Sequence, residues 1–329
     1  MKNDIKAALA LLCALFVCVS TAAQESTSAF NMLRLPLSSH TAALGGDNAS
    51  LVENAPAAGL ANPAMLSAVS DNSFGLNFMT YADGGKLLGA EYVKAFGERH
   101  TAMATISYMG YGAMDETDAM GNVLGQFSPK DILVGAGYSY LLSDRWAGGA
   151  TVKLLNASIA DFHSTALAFD LGLNYFDADR DLSVSLLMRN VGAQLSTFDG
   201  RSERIPYSLQ VGLSQGMAHM PVRLHITATD LTRWKDSDFF AEDGEKLGFG
   251  SKLLRHFVIG IDLLPSDVFY IAAGYNFRRA AELKAAGSSH LAGLSLGAGV
   301  NLKKIKFGAS YARYHQACSS LMFNLGYAL

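Results

Sequence analysis

Past its first two dozen residues, nothing in the chain is greasy enough for long enough to cross a bilayer as a helix. No later stretch reaches the ~18 uninterrupted apolar residues that a helical span needs, although half of the 329 residues are hydrophobic. Charge is also sparse: Asp, Glu, Lys and Arg make up 17%, against about a quarter in ordinary soluble domains. A net charge of −3 leaves no basic footprint, so a nucleic-acid partner is excluded. Proline is scarce, and three of the seven, Pro36, Pro56 and Pro63, sit close to the N-terminus. Of three cysteines, Cys13 and Cys18 fall in a leader-like segment and only Cys318 remains. That leaves no intramolecular disulfide and no multi-cysteine metal site. The signatures of catalysis are missing too: no nucleophile elbow, phosphate-binding glycine–lysine loop, dinucleotide fingerprint or HExxH. The residues give no support to an enzyme and imply no cofactor.

The first 23 residues read as a secretory signal. Lys2 and Lys6 supply the positive start, Ala7 to Val19 the apolar stretch, and Ser20-Thr21-Ala22-Ala23 the small residues before Gln24. The apolar stretch is too short to anchor the chain, and Val17 is too bulky for a lipidation site at Cys18. Residues 24–72 lack any period-two pattern and are expected to form a plug inside a barrel or an arm on its periplasmic side. Asp47-Asn48-Ala49-Ser50 is expected to cap a short helix, and the Ala-rich Pro56 to Leu66 to add a turn or two.

From Ser73 onward the pattern changes and holds to the last residue. Leu167, Phe169, Leu171, Leu173 and Tyr175 alternate with Ala168, Asp170, Gly172 and Asn174. After a turn, Leu182, Val184, Leu186 and Met188 do the same. Period two is the strand period, since successive side chains point to opposite faces. About fourteen such runs follow one another: 73–82, 86–96, 101–110, 130–141, 146–156, 165–176, 182–191, 206–215, 221–230, 254–263, 268–277, 290–300, 304–314 and 319–329. Most are near the ~9–11 residues of a tilted membrane strand. Even-numbered joins are short, whereas the long joins, 111–129, 192–205, 231–253 and 278–289, all fall among the odd-numbered ones. Short turns at one end and long loops at the other describe an outer-membrane barrel. The polar faces carry Glu91, Lys153, Asp170, Arg189, Arg223, Asp262 and Lys306, affordable toward a wet lumen but not toward lipid, where a mid-membrane charge costs about 2–4 kcal/mol. The fold expected is an all-β membrane fold, an antiparallel outer-membrane β-barrel over 73–329 with a short N-terminal helical or coil segment.

Several residues stand out as candidates. His225 lies on a polar strand face, where a lumen hydrogen bond is a better reading than a metal ligand. Asp177 to Asp181 hints at calcium spacing but lacks the glycine and closing Glu of an EF-hand. Asp236, Asp238, Glu242, Asp243 and Glu245 make one long loop acidic, with a solvated loop as the default reading. Phe198, Trp234, Phe239, Phe240 and Phe249 are aromatics on long loops, candidates for partner contact or for folding onto the barrel rim.

Three segments carry a resemblance: Ala29-Phe30-Asn31-Met32-Leu33-Arg34-Leu35-Pro36, Ala42-Ala43-Leu44-Gly45-Gly46-Asp47-Asn48, and Leu60-Ala61-Asn62-Pro63-Ala64-Met65-Leu66. With Asn77 to Tyr81, Asp170 to Tyr175 and Asp230-Leu231-Thr232, the mature chain resembles the PorV/PorQ family of outer-membrane components of the type IX secretion system. The element Asn62-Pro63-Ala64 is shared more widely with the long-chain fatty-acid transporter superfamily of fourteen-stranded barrels. The resemblance implies a non-enzymatic scaffold holding a PorZ-like surface protein beside the PorU–PorV sortase, which attaches cargo to anionic lipopolysaccharide. The wider likeness implies instead an uptake channel for hydrophobic small molecules, with an apolar pocket near the lumen. A water-filled porin is weaker, since the N-terminal segment would block the bore. The final run ends on Leu329 where outer-membrane barrels usually carry an aromatic.

Overall fold

A computed structural model describes residues 30–81, 84–198, 200, 203–240, 246–266, 268–285, 290–314 and 319–329. Residues 1–23, expected to be a secretory signal, the loop carboxylates Glu242, Asp243 and Glu245, and Cys318 lie outside the described residues. Sixteen strands run in chain order: β1 Ser73–Thr80, β2 Lys86–Phe96, β3 His100–Gly110, β4 Met114–Thr117, β5 Val123–Phe127, β6 Lys130–Ser143, β7 Trp146–Ile159, β8 Phe162–Asp177, β9 Leu182–Ser196, β10 Ser208–Gly216, β11 Val222–Ala228, β12 Phe257–Ser266, β13 Phe269–Asn276, β14 Leu294–Asn301, β15 Ile305–Ala312 and β16 Ser320–Ala328. Fourteen close into one antiparallel barrel, and β4 and β5 form a separate hairpin. Closure is made by β1 and β16, in register from Ser73 opposite Ala328 to Met79 opposite Met322. A closed ladder pairs every strand within the wall, the condition for a sheet to exist in lipid.

Side-chain alternation sorts the two faces as the sequence implies. Phe74, Leu76, Ile106, Val134, Leu154, Ile259 and Leu325 point outward and are exposed, as lipid-facing residues must be. Glu91, Lys153, Asp170, Arg189 and Asp262 point inward and are buried. The barrel is an outer-membrane protein. At the short-turn end Trp146 and Tyr175 lie 5.2 Å apart and Phe74 and Tyr92 4.7 Å apart, aromatic pairs suited to the interface.

The lumen is not empty. Residues 30–72 fill it as a plug built of short pieces: a 3₁₀ turn Asn31–Arg34, helix α1 Ser39–Ala43, helix α2 Ala58–Ala61 and a 3₁₀ turn Pro63–Ala68. Pieces this short cannot hold themselves together; the wall holds them. No helix starts at Asp47 to Ser50; the Asn48 side chain instead accepts from Ser50 N at 3.0 Å, an Asx turn that competes with helix.

Other boundaries also differ from the sequence reading. The long join after β3 holds the β4–β5 hairpin. Leu254 belongs to helix α3, Phe249–Arg255, and the strand starts at Phe257. The loop after β13 contains helix α4, Phe277–Ala285, and β14 begins only at Leu294. Strands β7, β8 and β9 reach 14, 16 and 15 residues, beyond the ~9–11 a membrane strand needs. They therefore stand above the long-loop rim.

Candidate functional site

Plug and wall meet in three kinds of contact. The first is steric. Several inward wall positions opposite the plug are glycines. A Cβ on Gly149 would lie 2.4 Å from the Pro63 carbonyl carbon, and one on Gly172 2.0 Å from Asn62 Oδ1. A Cβ on Gly274 would lie 2.2 Å from the Leu44 carbonyl carbon. Part of the glycine richness is thus space for the plug backbone. Asn62, Pro63 and Ala64 are buried in that seat. Asn62 caps the following turn, its Oδ1 accepting from Ala64 N at 3.0 Å while its Nδ2 donates to Ala49 O at 2.8 Å. Ser139 Oγ on the wall donates to Ala64 O at 3.2 Å.

The second contact is apolar. Phe30, Met32, Leu33 and Leu35 pack against inward Met79, Leu87, Met109, Leu133, Leu155 and Met322 near the long-loop end. An apolar crevice exists inside the wall, and the chain's own N-terminal segment occupies it.

The third is polar, in two networks. One centres on a β-bulge, where Arg189 and Asn190 of β9 oppose the single Asp170 of β8 and Asn190 takes φ 56°. Asn190 N donates to Asp170 Oδ1 at 2.7 Å, Lys153 pairs with Asp170, and Lys153 Nζ donates to Asn190 Oδ1 at 2.9 Å. Asn190 Nδ2 donates to Leu33 O at 3.3 Å and so ties the bulge to the plug. The other network centres on His40, stacked on Tyr270 at 3.9 Å. Its Nδ1 lies 2.9 Å from Glu53 Oε2 and its Nε2 3.0 Å from Asp262 Oδ1. Asp262 Oδ2 meets His225 Nε2 at 3.1 Å, and His225 Nδ1 meets Ser214 Oγ at 2.7 Å. His225 is therefore a lumen hydrogen-bonding residue.

Burial opposes a charge on His40, but Asp262 and Glu53 outweigh it and raise its pKa to about 10 from an ordinary 6.5. A group whose folded pKa is raised stabilises fully below its unfolded pKa and loses that stabilisation as pH climbs to the folded value. His40→Gln is therefore expected to lower the melting temperature relative to the parent at pH 6, with the gap shrinking as pH rises toward about 10. Melting curves across that window check it; a gap independent of pH would show that His40 is held uncharged.

Among the described residues, small cavities of about 220, 40 and 20 Å³ lie between plug and wall. A hollow of about 540 Å³ lies on the lipid-facing side, lined by Leu76, Phe78, Leu88, Ile106, Phe307 and Phe323.

The loop aromatics divide. Phe239 is buried, with Arg255 and Arg278 over its ring at 5.9 and 5.3 Å and His256 against its edge at 5.5 Å. Phe198 packs onto the apolar cluster around Phe30. Phe239 is thus covered by its own chain, and Phe198 is partly buried. Trp234 stacks on Phe249 at 5.9 Å, and both are exposed, as is Phe240. Sequence reading missed other exposed apolar residues at this end: Met120, Val123 and Leu124 around the β4–β5 hairpin, Ile159 and Phe162 at the tip of β7–β8, and Leu195 at the end of β9. The turn carboxylates Asp177 and Asp181 at the opposite end are engaged by Arg145 at 3.2 Å and Arg223 at 3.0 Å.

No protein-family model matches the chain, and no curated protein matches it in sequence. Solved structures do. The Pseudomonas putida toluene transporter TodX aligns with a TM-score of 0.53 at 14% identity, over 89% of this chain and 97% of its own. The CymD monoaromatic hydrocarbon channel aligns at 0.50 and 13% identity, over 91% and 98%. A Pseudomonas aeruginosa FadL homologue aligns at 0.49 and 13%, over 87% and 97%. What the chain shares with the toluene transporter and the monoaromatic hydrocarbon channel is the fold.

Proposed function

We propose that this barrel is a non-enzymatic outer-membrane scaffold that docks a surface protein on its long-loop end. The observation that carries the reading is that end's surface. Apolar side chains stay exposed on the hairpin, on the β7–β9 tips and on α3, all at the long-loop end. Exposed apolar groups gathered beyond the membrane mark an interaction face. The wired plug supports the same reading, since the cavities beside it among the described residues are small. The PorV/PorQ resemblance supplies the partner's identity: a PorZ-like surface protein beside the PorU–PorV sortase, linking cargo to anionic lipopolysaccharide. A shortened β4–β5 hairpin is expected to cut co-purification of the surface partner from solubilised membranes at least about tenfold, the loss of one good anchor residue, with the barrel still folded. Unchanged co-purification, with cargo still attached in cells lacking the barrel, would reject the reading.

A second reading, uptake of hydrophobic small molecules, is favoured by the likeness to the toluene and monoaromatic channels. The apolar crevice and the wall hollow also fit it. It requires the segment Phe30 to Leu35 to leave the crevice. Uptake of toluene into proteoliposomes separates the two: the scaffold reading expects the rate of empty liposomes, and a saturable increase would favour transport.

A further inference from the structure

Five arginines converge where the plug meets the long-loop end of the wall. Arg34 comes from the plug, Arg189 from the β9 bulge, Arg233 from the loop after β11, and Arg278 and Arg279 from α4. They line a cavity of about 220 Å³. Among the described residues three carboxylates share it, Asp47, Asp230 and Glu282, which leaves two positive charges over within that set. The hydrogen-bond inventory shows where.

Arg278 is fully engaged, at 2.5 Å from Asp230, 2.8 Å from Glu282 and 2.7 Å from the Asp238 carbonyl. Arg233 donates to Tyr207 O at 3.0 Å. Arg279 lies over the Tyr314 ring at 4.6 Å and donates to Gly293 O at 3.3 Å, but its Nε is buried without a partner. Arg189 is 8% exposed, sits 3.7 Å from Asp47, and also has an unpartnered buried Nε. Arg34 is exposed toward the cavity it lines, within electrostatic reach of Asp230 and Glu282. Partial desolvation, then the like charges of Arg233 and Arg278, outweigh Asp230 and Glu282 and hold its pKa below the usual arginine range.

Orphaned donors on buried guanidiniums cost free energy unless something accepts from them. Bringing like charges together costs more. A guanidinium fork matches an oxyanion with two parallel N–H bonds. Two uncompensated charges match a dianion. The space is smaller than the ~300–1,000 Å³ of drug-sized ligand sites, which limits the occupant to a head group. We infer that this vestibule binds a dianionic oxyanion of the phosphomonoester class, free or carried on a larger molecule. The inference stands apart from the scaffold reading: its failure leaves the docking face untouched, and the partner experiment does not depend on it.

The test is calorimetry on the full chain folded in detergent, at neutral pH and constant ionic strength, with inorganic phosphate, glucose 1-phosphate and glucose as probes. Both phosphates are expected to saturate and glucose to give no heat. Arg34→Gln, at an exposed plug position, is expected to weaken phosphate binding about tenfold, roughly one charge-assisted hydrogen bond. R34Q/R233Q is expected to weaken it further, and Lys303→Gln at the opposite end to leave it unchanged. Glucose 1-phosphate binding about tenfold tighter than phosphate identifies a carried phosphomonoester; equal or weaker binding identifies free phosphate. The site is refuted if neither phosphate saturates, if glucose binds as well, or if R34Q and R34Q/R233Q, shown folded by circular dichroism, bind like the parent.

Discussion

Replacing Gly149 with valine unseats the plug. Gly149 faces the lumen opposite Gly172, and a single Cβ there would sit 2.4 Å from the Pro63 carbonyl carbon and 2.5 Å from Ala64 N. Those atoms are backbone, fixed on one side by the Asn62 cap and on the other by the bond from Ser139. No rotamer change relieves the overlap, so either wall or plug must move. One surplus methyl group in a packed interior costs about 1–3 kcal/mol, and valine adds two more carbons. G149V is expected to unfold at lower urea than the parent and to expose residues 30–72 to protease in the intact barrel. Gly248→Ala is the control, because nothing lies within 4 Å of its Cβ; it is expected to stay within about 0.5 kcal/mol. Parental stability and protection in G149V would mean the Asn62-Pro63-Ala64 seat is misplaced.

Lys153→Met is expected to cost more. Lys153 and Asp170 are both buried and paired, with side chains 9% and 3% exposed. Removing the lysine leaves the Asp170 carboxylate holding one bond, from Asn190 N at 2.7 Å. Breaking one side of a buried pair costs about 3–5 kcal/mol, whereas replacing both partners with apolar groups is often near neutral. K153M should therefore fold poorly into vesicles, and K153M/D170L should recover most of the loss. The recovery is the informative quantity. A double variant no better than K153M would show that the charges act separately and that the bulge is held by Asn190 alone.

Both variants test features that differ in how far they can be read from sequence. The strand register was readable because lipid and lumen impose opposite demands on alternate residues, and the runs at Leu167–Tyr175 and Leu182–Met188 obey them. The pattern misleads where backbone geometry breaks the alternation. Met188-Arg189-Asn190-Val191 reads as continuous strand, yet the left-handed turn at Asn190 places two successive side chains inward. Leu254 looks like the start of a strand because it precedes an alternating run, but it ends a helix that rides above the rim. Phe239 sits among acidic residues and looks exposed; the arginines that cover it come from positions 255 and 278, which no local pattern could supply. The arginine vestibule was unreadable for the same reason. Its five members come from a 3₁₀ turn, a bulge, a loop and a helix, and only closure of the barrel brings them together. Asn62-Pro63-Ala64 was readable as a motif, but its seat was not, because the wall glycines that receive it are silent until the register is known.

What the packing asserts above all is a barrel whose bore is shut by its own N-terminal segment. Electrical recording of the full chain in a planar bilayer bears on this without any substitution. A seated plug, with small cavities beside it among the described residues, should give no resolvable ionic current under steady voltage. Stable open steps, recurring with each inserted protein, would mean that water runs through the lumen and that residues 30–72 do not rest where they are described.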